Sequence, residues 1–171
     1  MRLFAVFVAT FMVLIGSAAL PAVAASEKPF VLEKFFLGDL VAEGRFTNSW
    51  TGAKRDMKVQ MKGKWNGVSL SLKEDFVYSD GEKDQKTWVF TKLNETTYSG
   101  TREDVVREAE VKVYNNEIFL TYVAKIGGFD LNFKDRLTLL DDTTVRNTAD
   151  VLFLNFIKVG EVELTIKRKS R

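Results

Sequence analysis

Two carboxylates stand where their neighbours call for apolar side chains. Glu74 falls between Leu72 and Phe76, and Asp135 between Phe133 and Leu137, each on the face that residues two apart assign to the interior. A carboxylate turned inward costs several kcal/mol unless it is paired, hydrogen-bonded or kept protonated. Such residues can act in three ways. Facing one another across a cleft, two carboxylates serve as acid and base, as in glycoside hydrolysis. Set in an apolar pocket, they orient the polar end of a greasy ligand. Near a rim, or answered by a neighbouring Tyr, Trp or Arg, they only fix strand register, and a β-bulge ahead of either would turn it outward.

Other chemistry has little to work with. The chain contains no His and no Cys, which removes the usual nucleophile and base pairs, thiol chemistry and imidazole metal sites. Asp80-Gly81-Glu82 and Asp141-Asp142 lack the ligand series of a calcium loop and sit where turns are expected. Nothing in the spacing of Glu74 and Asp135 makes them face each other. The expectation is a protein that is not an enzyme, with no catalytic residues, no metal and no cofactor.

The elements that would position the two acids are strands. From residue 57 to 166 the chain alternates apolar and polar residues in short runs. The dipeptides Asn66-Gly67, Asp80-Gly81, Asn115-Asn116, Gly127-Gly128 and Asp141-Asp142 punctuate them. Strands are predicted at 41–48, 55–65, 68–78, 86–93, 97–101, 106–114, 117–125, 129–140, 144–154 and 160–167. Their even spacing and hairpin-length turns predict an all-β fold, an antiparallel up-and-down barrel of about eight to ten strands. Met57, Val59, Met61 and Trp65 share an inner face opposite Lys58, Gln60, Lys62 and Lys64. Val68, Leu70, Leu72, Phe76 and Tyr78 share the next one, continued by Trp88 and Phe90 and later by Leu131, Phe133, Leu137 and Leu139. Residues 144–154 give the least clear faces, and residues 30–36 read as a short helix or a first strand closing one end of the barrel.

Residues 1–24 pose a different problem. Arg2 is followed by an uncharged run over 3–15, helix breakers at Gly16 and Pro21, and the small-residue end Ala22-Val23-Ala24. This is the pattern of an export signal cleaved after Ala24 or one residue later. An uncleaved anchor is the rival, although the apolar run is shorter than the roughly 20 residues a bilayer needs. Residues 25–171 then form one domain. Without Cys that domain has neither a disulfide nor a thiol for lipid attachment, so the expectation is a soluble periplasmic protein with no stable membrane anchor after cleavage. The full chain carries 25 basic and 23 acidic side chains, and losing Arg2 with the signal brings the two still closer to balance, which argues against nucleic acid as a partner. The basic end at Lys167, Arg168, Lys169 and Arg171 reads as a solvated tail.

Residues 74–82, Glu-Asp-Phe-Val-Tyr-Ser-Asp-Gly-Glu, are followed by Trp88, by Tyr98-Ser99-Gly100-Thr101 and by Asp104-Val105-Val106. With Phe36, Gly38, Gly44 and Phe46 upstream and Leu139-Leu140-Asp141-Asp142-Thr143, Asn147-Thr148-Ala149 and Val159-Gly160-Glu161-Val162 downstream, this order resembles the bacterial domain-of-unknown-function family 3833. The resemblance spans about residues 36–167. It implies a lipocalin-like (calycin) barrel in the cell envelope and no established biochemical function. Many members are lipoproteins, a feature this Cys-free chain lacks. Members typically carry Arg where Lys86 precedes Trp88, and an aromatic where Arg136 follows Asp135.

Two functions fit these residues. In one, the barrel holds a small apolar or amphiphilic ligand, with Trp65, Phe76, Trp88, Phe90 and Phe133 as walls and Glu74 or Asp135 meeting its polar end. In the other, the same rings with Met57 and Met61 fill the barrel solid, and the loops of an envelope protein bind a protein partner or serve a structural role. A connected interior space of roughly 300 Å³ or more separates the first from the second.

Overall fold

The computed structural model describes residues 28–169. The expected export signal lies outside them. Among the described residues a short helix, α1 (Leu32–Phe35), precedes ten strands: β1 (Gly38–Asn48), β2 (Lys54–Trp65), β3 (Ser69–Tyr78), β4 (Lys83–Asn94), β5 (Thr97–Thr101), β6 (Ala109–Tyr114), β7 (Glu117–Ile126), β8 (Phe129–Asp141), β9 (Thr144–Phe153) and β10 (Ile157–Arg168). Each strand pairs antiparallel with the next, and β1 pairs with β10, so the meander closes into a barrel. The alternation acts as the turns require. Met57, Val59 and Met61 are buried on β2 while Lys58, Gln60, Lys62 and Lys64 face water. Gly67, Gly81, Asn115, Gly127 and Gly128 take the positive φ that tight reversals need.

Four boundaries differ from expectation by two or more residues. β1, β4 and β10 each begin three residues early, because pairing with β2, β3 and β9 respectively extends them past the apolar run. β6 begins at Ala109 rather than 106; ahead of it only Val105 bridges to Ala124, and the chain between is a loop. Val68, expected inside, is exposed, since it belongs to the β2–β3 turn and not to the strand. On β9, Val145, Ala149 and Val151 face the core, and Leu152 is buried as well.

Residues 30–36 stopper one end. Phe30, Leu32, Phe35 and Phe36 are all buried, and the three phenylalanine rings pack on one another at 5.1–6.3 Å. Phe30 donates its N–H to Asn115 in the β6–β7 turn. Glu33 on α1 accepts from Tyr98 Oη at 2.5 Å and pairs with Lys92 Nζ at 3.0 Å. Burial pushes the Glu33 carboxyl up, and these bonds with its own backbone N–H outweigh that, leaving it below the usual carboxylate range. Gly63 makes room for the stopper: a Cβ there would stand 1.7 Å from the Phe36 carbonyl oxygen. Backbone cannot yield as a side chain does. Gly63→Ala is therefore expected to lower the unfolding free energy by about 1–3 kcal/mol in a urea titration, and an unchanged midpoint would mean that the stopper does not bear on β2.

Candidate ligand-binding site

Inside the barrel lies a cavity of about 730 Å³. Its floor is the stopper, through Leu32 and Phe36, and its mouth lies at the opposite end, where Asn48, Glu82, Lys125 and Gly127 reach it from the β1–β2, β3–β4 and β7–β8 reversals. The lumen is hollow, so the filled-barrel arrangement is not what these residues adopt. Phe76, Trp88, Phe90 and Phe133 all contribute to the wall. Trp65 does not. It ends β2, two residues past the point where Phe36 crosses Gly63, and packs half-buried against the core at the sealed end.

Both carboxylates point inward and both are 8% exposed. The bulges in the sheet fall elsewhere, between Lys158 and Gly160, Lys92 and Asn94, and Leu139 and Asp141, so neither acid is turned out. Glu74 stands at the middle of β3 and Asp135 at the middle of β8. They mark a polar belt halfway down the wall, with apolar side chains such as Phe90, Val111 and Ile118 below it and the polar groups Asn48, Arg55, Glu82, Asp84 and Lys125 toward the mouth. Burial pushes both carboxyls up to about 7, and the Arg102 charge opposes that push; Glu74 raises Asp135 further.

Arg102 is the centre of the belt and was not foreseen. Lying just past the end of β5, it stacks over Trp88 at 4.7 Å and over Tyr122 at 5.2 Å. Its guanidinium forks onto Asp104, with Nε to Oδ1 at 2.7 Å and Nη2 to Oδ2 at 3.2 Å. Tyr122, between Leu120 and Ala124 on the inner face of β7, stacks on Phe133 at 4.8 Å and meets Trp88 edge-on at 5.1 Å. Burial, then Asp135, pushes its hydroxyl well above the usual range. Gly100 gives these rings space: a Cβ there would come within 3.0 Å of Phe90 and 3.3 Å of Trp88. Among the described residues, Asp135 Oδ1 and Asn147 Oδ1 find no hydrogen-bond partner within the wall.

The alternation on β7 was the signal that could have found Tyr122. Arg102 offered none, because a loop residue has no period to break. Asn147 sits in the strand whose faces were least clear. Lys86 lines the cavity and pairs with Asp84 at 3.3 Å and Asp104 at 3.7 Å, so the residue ahead of Trp88 still brings its charge to the belt. Arg136, by contrast, faces outward and pairs with Glu117 at 2.6 Å.

A closed antiparallel meander with a stoppered floor, an apolar lumen and a polar belt defines a lipocalin-like β-barrel. The chain belongs to the family described as Protein of unknown function (DUF3833), whose sequence pattern matches residues 9–168. Among solved structures the fold is similar to that of the S-type phycobiliprotein lyase CPES from Guillardia theta, with 10% identity and a TM-score of 0.62 over 81% of this chain and 92% of that one. A redesigned β-barrel, mFAP1, bound to DFHBI, matches at 13% identity and a TM-score of 0.42 over 80% of this chain and 97% of that one. No curated protein matches the chain. At such identities the likeness is one of fold alone.

The raised carboxyls set a pH dependence. In an unfolded chain they titrate near about 4, and in the barrel at about 7. Between those values the folded protein holds protons that the unfolded chain has released, so stability falls as pH rises from about 4 to about 7. Urea midpoints at about pH 5 and pH 8 are expected to show that fall in the ligand-free protein. Glu74→Gln with Asp135→Asn should flatten it and stabilise the barrel at pH 8. A parent equally stable at both values would show that the two acids are fully answered inside.

Proposed function

We propose that this protein is an exported, non-catalytic binder that takes one small apolar or amphiphilic molecule into the barrel lumen. The cavity carries this reading. Its 730 Å³ lies within the range of small-molecule sites, roughly 300–1,000 Å³, which are mostly apolar with a few placed polar groups. Phe76, Phe90, Phe133 and Trp88 supply the apolar wall, while Glu74, Asp135 and Arg102 supply the placed charges. The lumen has one mouth and a sealed floor, so a guest enters and leaves by the same end. Export is supported by the N-terminal run with its small-residue end, and a periplasmic setting by the lack of any Cys.

The non-catalytic part of this reading is supported by what occupies Arg102. Arg102 lies between the belt acids in the ring of strands and stacks on two rings, and its fork is spent on Asp104.

Binding is tested with Nile red, a neutral dye that brightens in apolar surroundings, and by native mass spectrometry of protein purified from the periplasm. The expected results are saturable dye fluorescence with one site, quenching or shift of Trp88 emission, and a co-purifying small molecule. Ala149→Phe, which fills the lumen from β9, is expected to abolish dye uptake with the strand circular dichroism preserved. Uptake unchanged by that substitution would place the dye outside the barrel and end the reading.

A further inference from the structure

We propose that the guest is a nitrogen-headed amphiphile, a protonated amine whose N–H groups are received by Asp135 Oδ1 and Asn147 Oδ1 at the polar belt. The inference deepens the binding reading and rests on it. It begins with two buried oxygens that accept no hydrogen bond from any described residue. Both are acceptors, and a buried acceptor without a donor destabilises the fold that holds it.

The two oxygens share one patch of wall. Asp135 on β8 is opposite Ala149, and Asn147 on β9 is opposite Leu137, so the two residues are diagonal neighbours on the inner face. Diagonal partners of an antiparallel pair lie roughly 7–8 Å apart, close enough for one ammonium group to reach both. A carboxylate and an amide oxygen side by side accept hydrogen bonds and repel an anion. A fatty-acid head would meet the wrong charge there.

The charge balance of the wall points the same way. Each cation lining the lumen is already answered: Arg55 by Asp80 and Glu82, Lys86 by Asp84 and Asp104, Arg102 by Asp104, and Lys125 by Asp130. Glu74 and Asp135 have no ion pair of their own among those of the described residues. Once ionised they leave the lumen with surplus negative charge. A cationic head offsets it.

Depth fixes where the rest of the guest goes. Below the belt the wall is apolar down to the stopper, through Phe90, Val111, Ile118 and Leu137 to Phe36. A short alkyl chain fits that floor with its nitrogen at the belt.

The test compares octylamine, octanol and octanoate, which share one tail and differ in head, by displacement of Nile red from the full chain at pH 8. At that pH octylamine is cationic and Asp135 is largely ionised. Octylamine is expected to bind at least tenfold tighter than octanol and tighter still than octanoate. Asp135→Asn should erase most of that preference and leave octanol unchanged, and Asn147→Leu should weaken the amine in the same direction. The ranking of heads is read on the unaltered protein, so it decides the matter even if a variant fails to fold. Dye binding with octanol or octanoate equal to the amine overturns the amine assignment and leaves the binder reading standing. An amine preference untouched by both substitutions overturns its placement at the belt. Failure of the dye and all three probes to bind overturns both readings.

Discussion

Everything inside this molecule depends on the hydrogen bonds that join β1 to β10. Leu40 meets Arg168 at one end of that seam and Asn48 meets Gly160 at the other. Without it the meander would be an open sheet with two bare edges, exposed to other chains and enclosing nothing. Close approach is part of the seam's chemistry. A Cβ on Gly44 would stand 1.9 Å from the Glu163 carbonyl oxygen, so only glycine lets the two strands come together there.

Closure with ten strands fixes the kind of interior. A barrel of about eight strands is just wide enough for side chains to meet across its axis. Ten strands separate the walls further, and rings as large as Trp88, Phe90 and Phe133 line the space without filling it. The stopper fills one end only, by supplying phenylalanines that no strand provides. The hollow and the sealed floor follow from strand number and from seven residues ahead of β1. The polar belt is where this construction is least comfortable. Two acids sit in low dielectric around an arginine whose own bonds go elsewhere, and the cost appears as carboxyls that hold their protons to about 7.

Much of this was legible in the residues. Alternation located all ten strands, because a half-buried strand must put apolar side chains on one face and a turn must use residues that tolerate its φ. The same rule exposed Glu74 and Asp135, since a polar residue on an apolar face breaks a visible period. Its reach ends where the period ends. Val68 looked internal because it continued a spacing of two, but the turn had already claimed it. Trp65 had the right parity for the lumen, yet which inward residue lines a cavity depends on how far the stopper reaches. Arg102 and Asp104 lie in a loop, where position comes from packing against Trp88 and Tyr122 and leaves no trace in local sequence. Family resemblance supplied the barrel but not the chemistry of its lumen.

The strand count is even, and that has a directional consequence. Among the described residues, Lys28 pairs with Asp142 in the β8–β9 turn, and Lys169 donates its N–H to the carbonyl of Asp39 at the start of β1. Both points lie on the stoppered face. Held to a support through Lys28 or Lys169, the barrel would stand like a cup on its base, brim upward, with its opening unobstructed by that attachment.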